Sequence, residues 1–134
     1  MIRKILAQSK NYKLFKECED AQLEGLGIKD YVTVGDFYGD VTCACIDEQE
    51  KWCISGGNGL VIYTIAEPFL NYTYEQDNQK LQWKELGRNK QTWLWPETIY
   101  QVENDVVRIV IDVYSKYKGV YDLNIKTLEL LKKA

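Results

Sequence analysis

The sequence predicts a mainly β, single domain spanning residues 1–134. From residue 31 onward, β-branched and aromatic residues alternate between short turn signals, which is typical of strands. Hydrophobic residues make up 46% of the chain, enough for a core within one domain of this length. We expect an antiparallel meander of about seven strands that forms a curved sheet, a sandwich or a partial barrel.

The first 26 residues are less regular than the rest. Ile2, Ile5 and Leu6 recur at helical spacing, and Leu26 precedes Gly27, a residue type that often ends a helix. The same residues fit a strand. A short N-terminal helix, which would make the domain β-rich α+β, and an N-terminal strand both stay open.

Residues 51–65, KWCISGGNGLVIYTI, hold the strongest hairpin signal. Asn58-Gly59 fits the centre of a type I′ turn, in which both central residues have positive φ. This turn pairs Ile54 with Tyr63, whereas a four-residue GGNG loop pairs Ile54 with Val61. Alternation along the two strands then gives two apolar faces. One face holds Trp52, Ile54, Val61, Tyr63 and Ile65, and the other holds Cys53, Leu60 and Ile62. We therefore expect a central hairpin in a sheet that is covered on both sides.

The preceding hairpin joins VTCACI to WCIS through the polar turn DEQEK. A three-residue loop over 48–50 pairs Cys45 with Cys53 and Ile46 with Trp52. The cysteines of both strands would then share one face.

The four cysteines are expected to be buried, inert thiols. No apolar stretch near the start is long enough for a secretory signal, so we expect a cytoplasmic protein, in which disulfides are rare. A zinc site that joins Cys18 to the other three is the alternative, but the C-A-C spacing is poor for zinc. No metal or cofactor site is predicted.

The sequence contains no histidine, which excludes Ser-His and Cys-His nucleophile pairs within the chain. Glu103, Asp112 and Asp122 are candidate carboxylates for a glycosidase pair, but they lie at turns or on polar strand faces. GGNG lacks both phosphate-binding motifs, and the β-prone run LVIYTI follows it instead of a helix. We predict no catalytic residues and no enzyme activity.

The C-terminal third alternates most cleanly. In VVRIVID, Val107, Ile109 and Ile111 share one face, and residues 103–105 form the turn before it. The ending YDLNIKTLEL is similar to the hairpins of propellers, but 134 residues are too few for a propeller and no period near 40 repeats.

Charge is concentrated in residues 17–50, which contain ten acidic residues and one basic residue. Such a surface repels nucleic acid and membranes and attracts basic partners. A solvated acidic face without a partner is the alternative. The partner-binding residues that we predict lie in or beside turns of this segment: Asp36, Tyr38, Asp40, Asp47, Glu48 and Glu50. Nothing in the sequence indicates an oligomeric state.

The middle of the chain is rich in aromatic residues interleaved with basic ones. The aromatic residues are Trp83, Trp93, Trp95, Tyr72, Tyr74 and Tyr100, and the basic ones are Lys80, Lys84, Arg88 and Lys90. This pattern also occurs in proteins that bind single-stranded nucleic acid, but the acidity of the remaining chain opposes that function. A generic interaction domain, or a small-ligand-binding domain with a pocket lined by the tryptophans, is the alternative function.

The run GDFYGDVTCACIDEQEKWCISGGNGLVIYTI, followed by WPETIYQV and RIVIDVYSKYKGVYDLNIKTLEL, resembles small immunity proteins of bacterial polymorphic toxin and contact-dependent growth inhibition systems. The resemblance covers about residues 34–131 and is one of strand and turn pattern. It implies a cytoplasmic, non-catalytic protein that binds and neutralises a cognate toxin, often a nuclease. It assigns no functional residue by itself.

Overall fold

The computed structural model describes residues 3–74, 82–89 and 93–134. These residues form three four-stranded antiparallel sheets, each a meander in chain order. Sheet A contains β1 (Lys4–Gln8), β2 (Tyr12–Glu17), β3 (Asp20–Gly25) and β4 (Val32–Asp36). Sheet B contains β5 (Cys43–Ile46), β6 (Trp52–Gly57), β7 (Gly59–Thr64) and β8 (Trp83–Leu86). Sheet C contains β9 (Pro96–Glu103), β10 (Val106–Ile111), β11 (Gly119–Asn124) and β12 (Leu130–Lys132).

The prediction of a mainly β, antiparallel fold is confirmed, but the described residues form twelve strands instead of about seven. Of the two alternatives left open for the N-terminal region, the strand is correct and the helix is not, because strands β1 to β3 occupy that region. A bulge between Ile5 and Ala7 explains the misleading spacing. It lets Leu6 and Ala7 both pack against the core, while Ile5 stays 46% exposed.

Sheet B lies between the other two sheets, as its two apolar faces predict. Its first face packs on sheet A in a cluster that includes Leu14, Leu23, Val34, Cys53, Val61 and Tyr63. Its second face packs on sheet C in a cluster that includes Ile54, Leu60, Ile62, Val107, Ile109, Ile111 and Leu123. Burial of these two faces removes the side chains of both clusters from water, and such apolar burial is the dominant favourable term in folding.

The first strands of the three sheets lie side by side, β1 against β5 and β5 against β9. Neighbouring four-stranded blades of β-propellers are arranged in this way. The alternation predicted for sheet C is confirmed, since Val107, Ile109 and Ile111 are buried on one face and the turn before them joins β9 to β10. No helix in the described part of the chain is long and apolar enough to cross a bilayer.

The predicted register of the GGNG hairpin is wrong by one residue. Ile54 pairs with Ile62, so the turn is centred on Asn58. Gly59 has a φ of 96°, but Asn58 is not among the residues with positive φ, so the type I′ turn is absent. Because a shift of one residue exchanges the faces, Cys53 lies with Val61 and Tyr63 on the sheet A side.

The preceding hairpin is also shifted by one residue. Ile46 pairs with Cys53, and Cys45 pairs with Ile54, because the loop is longer than three residues and Glu50 adopts a φ of 59° in it. Cys43 and Cys45 therefore pack on the sheet C side, opposite to Cys53. The prediction that these cysteines share one face is wrong.

The connections between strands gather at two ends of the molecule. The Tyr38 end contains the β2–β3 turn, the turn at Asn58, the loops 37–42 and 112–118, and residues 87–89 and 93–95 between β8 and β9. The Glu48 end contains the β1–β2 turn and the loops 26–31, 47–51 and 125–129. Because the sheets are meanders, successive connections alternate between these ends.

Candidate functional site

The six predicted partner-binding residues divide between the two ends. Asp36, Tyr38 and Asp40 lie at the Tyr38 end, and the other three, Asp47, Glu48 and Glu50, lie at the Glu48 end. The four residues of β5 separate the two groups, about 13 Å at the usual rise of a strand. The six residues therefore do not form one surface.

Asp47 is buried and forms its hydrogen bonds within the molecule. It is 3% exposed. One carboxylate oxygen accepts a hydrogen bond from the Lys51 backbone N–H at 3.1 Å, and the other accepts one from Gln101 Nε2 at 2.9 Å. Its charge therefore stabilises the β5–β6 loop and is not presented to a partner.

The Glu50 carboxylate also forms its hydrogen bonds within the chain. Its carboxylate accepts hydrogen bonds from the Ser9 hydroxyl, from the Asn11 backbone N–H at 2.8 Å and from Asn11 Nδ2 at 2.7 Å. These hydrogen bonds, that of Ser9 first, lower the pKa of Glu50. Of the three predicted residues at this end, Glu48 alone is exposed.

The Tyr38 loop, residues 36–40, is held by two buried polar side chains. Asn58 Oδ1 accepts a hydrogen bond from the Tyr38 backbone N–H at 2.9 Å. Arg88 Nη2 donates to the carbonyl of Asp36 at 2.7 Å. The Tyr38 side chain itself is 70% exposed. The loop thus presents an aromatic ring to solvent from a fixed backbone.

Arg88 has its charge satisfied inside the molecule. It is 8% exposed, and it donates to the Asn58 carbonyl at 3.1 Å and to the Tyr72 hydroxyl at 2.6 Å. Its guanidinium lies 3.5 Å from Glu85 and 4.4 Å from the ring centre of Tyr74. This basic residue of the aromatic middle is therefore not presented to nucleic acid, while Lys80 and Lys90 lie outside the described residues.

The GGNG turn is a buried support for the Tyr38 end. A side chain at position 57 would approach the Phe37 ring to 2.8 Å, so glycine is required for this close packing. The N–H of Gly59 donates to the Leu94 carbonyl at 2.7 Å. Asn58 is 1% exposed. The turn joins the loop of Phe37 to the β8–β9 connection at Leu94 and has little surface for a phosphate.

Like charges are concentrated beside the Tyr38 loop. Asp20 and Asp36 are directly opposite each other on β3 and β4. Burial, followed by the charges of Asp36, Glu19 and Glu17, raises the pKa of Asp20. Asp40, in contrast, is paired with Lys16. The charges of this acidic cluster, Glu17, Glu19, Asp20 and Asp36, are thus only partly compensated.

Exposed aromatic and aliphatic side chains extend the same surface. Trp95 is 40% exposed, Val113 is 61% exposed and Tyr114 is 95% exposed. Their loops are connected, because the Asp112 N–H donates to the Trp95 carbonyl at 2.9 Å. Thr42, which follows the Tyr38 loop, donates to the Pro96 carbonyl at 2.6 Å.

Val113 and Tyr114 were not predicted as site residues, and Trp95 was predicted only as a tryptophan of the alternative ligand pocket. The signal that identifies them is the placement of bulky side chains in loops, where packing does not explain them. They lie at the same end of the molecule as Tyr38 and the acidic cluster, so this end presents both exposed aromatic and acidic side chains.

The candidate metal-binding and catalytic residues are dispersed. Cys18 is exposed in the β2–β3 turn, so the prediction that all four cysteines are buried is wrong for this residue. Burial raises the pKa of Cys43 and Cys45 to about 11. In residues 3–74, 82–89 and 93–134, no three His, Cys, Asp or Glu side chains are grouped to hold a metal ion. Asp122 forms two hydrogen bonds to Arg108, at 2.8 and 3.1 Å, which commits this carboxylate to an ion pair.

Comparison with known proteins gives no match to a protein-family model and no significant match among curated proteins.

Proposed function

We propose that this chain is a non-catalytic protein-binding domain that engages its partner through the Tyr38 end. The observation that carries the proposal is the exposure of Tyr38 and Tyr114, at 70% and 95%, on a surface flanked by the acidic cluster. Tyrosine and tryptophan supply a large share of the binding energy in protein interfaces. Acidic side chains around them favour a partner with a basic surface.

The hydrogen bonds that hold the backbone near Tyr38 favour a binding role for its exposed ring. Asn58 fixes the backbone N–H of Tyr38 itself, and Arg88 fixes the carbonyl of Asp36, two residues before it. Binding then does not need to order this loop, which reduces the entropic cost of association.

The acidic cluster is better stabilised in a complex than in the free protein. Burial and neighbouring carboxylates raise the pKa of Asp20, so its ionised form is disfavoured. A basic group on a partner relieves this repulsion. Like charges held together at a surface in this way are typical of functional sites as well as of structural networks.

A cognate toxin is the partner that fits these properties together with the resemblance to immunity proteins. In the cytoplasm, an acidic domain of this kind neutralises a nuclease toxin by covering its basic substrate-binding surface. The predicted site is revised accordingly. Asp36 and Tyr38 remain as contacts, Asp40 contributes through its ion pair with Lys16, and Asp47 and Glu50 act within the fold.

Co-expression with a neighbouring toxin gene tests this function. If the gene next to this one encodes a toxin, the toxin alone should arrest growth and co-expression of this protein should restore it. Growth arrest that persists with soluble protein present contradicts the immunity function. The absence of a neighbouring toxin gene favours the alternative below.

The second candidate function is a small-ligand-binding domain with an aromatic pocket. The structure favours it at one place, where Trp93 and Trp95 line a common cleft. Trp52 is instead buried in the core, and Trp83 packs against Tyr72. The pocket therefore involves two of the four tryptophans of the chain.

A further inference from the structure

A cleft at the Tyr38 end separates the loop of Trp93 and Trp95 from loop 112–118. Its volume is about 390 Å³, within the range of roughly 300–1,000 Å³ that is typical of ligand pockets. Its lining includes four aromatic side chains, Trp93, Trp95, Tyr114 and Tyr117, together with Asp112 and Lys116.

The aromatic rings present faces that attract cations. Trp93 and Trp95 are packed edge to face, with ring centres 5.9 Å apart and planes at 76°. This geometry occupies one face or edge of each ring and leaves Trp95 40% exposed. The π face of an indole or phenol carries partial negative charge, so it favours ammonium and guanidinium groups.

Asp112 adds a carboxylate to this aromatic cleft. Its Oδ1 accepts a hydrogen bond from the Tyr114 backbone N–H at 2.9 Å. In the described part of the chain, no lysine or arginine forms an ion pair with it. Asp112 is partly exposed and lines the cleft, so a cation that enters the cleft can reach its carboxylate.

Lys116 shows that the cleft already accommodates positive charge. Its ammonium lies 5.4 Å from the ring centre of Tyr117. This lysine belongs to the cleft lining and competes with any incoming cation, which provides a way to distinguish cation binding from neutral binding.

We propose that this cleft receives an arginine side chain of the protein partner, which stacks on the aromatic rings and forms hydrogen bonds to Asp112. Arginine fits better than lysine because guanidinium is planar, stacks on aromatic rings and is weakly hydrated. The proposal rests on the proposed function and defines the chemistry of one contact in it. A proline-rich segment is the other occupant that an aromatic cleft suits.

Titration of the ¹⁵N-labelled protein with blocked tripeptides, followed by the indole N–H signals of tryptophan, tests the proposal. The probes are Gly-Arg-Gly, the same peptide with neutral citrulline in place of arginine, and triproline. Substitution of Trp93 and Trp95 assigns their signals. We expect saturable shifts of the Trp95 signal with the arginine peptide and much smaller shifts with the other two.

Two variants and one control variant make the test more specific. Asp112→Asn keeps the oxygen that accepts the Tyr114 N–H and removes the charge, so it should weaken binding of the arginine peptide about tenfold, which corresponds to about 1.4 kcal/mol. Lys116→Met removes the competing cation and should tighten binding. Glu129→Gln, at an exposed position of loop 125–129 at the Glu48 end, should leave the peptide shifts unchanged.

Three results would overturn the proposal: equal shifts with citrulline, stronger binding of triproline, or no shift with the arginine peptide. Failure of this proposal is separable from failure of the proposed function. If the arginine peptide causes no shifts but the protein still neutralises the toxin, the arginine contact is refuted and the proposed function stands. If the peptide binds but the toxin does not, the toxin is refuted as the partner.

Discussion

The side-chain oxygen of Asn58 accepts a hydrogen bond from the backbone N–H of Tyr38 at 2.9 Å. This contact joins the tight turn of the central sheet to the most exposed part of the acidic segment. Asn58 is 1% exposed, and Arg88 donates to the same oxygen at 3.3 Å. A turn that reads in the sequence as a simple hairpin is therefore the base on which the candidate binding surface is built.

Removal of the Asn58 side chain should destabilise the folded protein. Asn58→Ala leaves the Tyr38 N–H without its acceptor, and we expect the free energy of unfolding to fall by about 1–3 kcal/mol. Chemical denaturation measures the change. Asn58→Asp retains the acceptor oxygen beside the Arg88 guanidinium and should lose less. Asn104→Ala, in an exposed turn, is the control and should stay within about 0.5 kcal/mol of the wild type.

Glu50 and Glu48 should respond differently to the same substitution. Glu50→Gln weakens the hydrogen bonds to Ser9 and Asn11 and should lower the free energy of unfolding by about 1 kcal/mol. Glu48→Gln should be nearly neutral, because the Glu48 side chain is exposed. Equal effects of the two substitutions would contradict the division of this loop into a structural and an exposed carboxylate.

The Glu50 effect should also depend on pH. The pKa of Glu50 is lower in the folded state, so its contribution is complete above the pKa of the unfolded chain and is lost as pH falls through the folded-state pKa. The difference between wild type and Glu50→Gln should therefore shrink in acid. Denaturation curves from neutral pH down to strongly acidic pH measure this trend, and a difference that grows in acid would refute it.

Asp20 should show the opposite behaviour. Burial and Asp36 raise its pKa, so its charge lowers stability at neutral pH. Asp20→Asn should raise the free energy of unfolding by about 0.5 kcal/mol at pH 7, as expected when like charges on paired strands are separated. The gain should shrink as pH falls through the folded-state pKa, where the wild type becomes protonated. Glu129→Gln, on the exposed surface, should give no such gain.

Thiol labelling should distinguish Cys18 from the other cysteines. Cys18 is exposed, whereas burial raises the pKa of Cys43 and Cys45 to about 11 and shields Cys53 completely. Since the thiolate is the reactive form, one rapidly labelled thiol is expected at pH 8. Cys18→Ser should abolish rapid labelling, and a second fast thiol in the folded protein would contradict the buried positions.

The fold class could be predicted because its signal is local. Strand alternation in residues 106–111 and the two apolar faces of the central hairpin each depend on neighbouring residues alone. The registers could not be predicted, because each depends on the length of a turn. The left-handed conformation of Glu50 and the turn centred on Asn58 each shift the pairing by one residue.

The sequence indicates which residue types form the candidate site, but not where the fold places them. The acidic residues lie in one segment of the sequence. Strand β5 runs between Asp40 and Asp47, however, so these two residues lie at opposite ends of the molecule. The support of Tyr38 by Asn58 and Arg88 joins positions 20 and 50 residues apart. Pairings at such separations depend on how the sheets pack, which no local pattern specifies.

The central claim is that the partner binds at the Tyr38 end. Calorimetric titration of the cognate toxin with Tyr38→Ala and with Tyr31→Ala tests it most directly, because Tyr31 is a half-exposed tyrosine at the Glu48 end. Tyr38→Ala should weaken binding by about 2 kcal/mol, the usual loss for an aromatic anchor of an interface, while Tyr31→Ala should leave the affinity unchanged. Full affinity of Tyr38→Ala together with a loss in Tyr31→Ala would contradict the claim and move the binding surface to the Glu48 end.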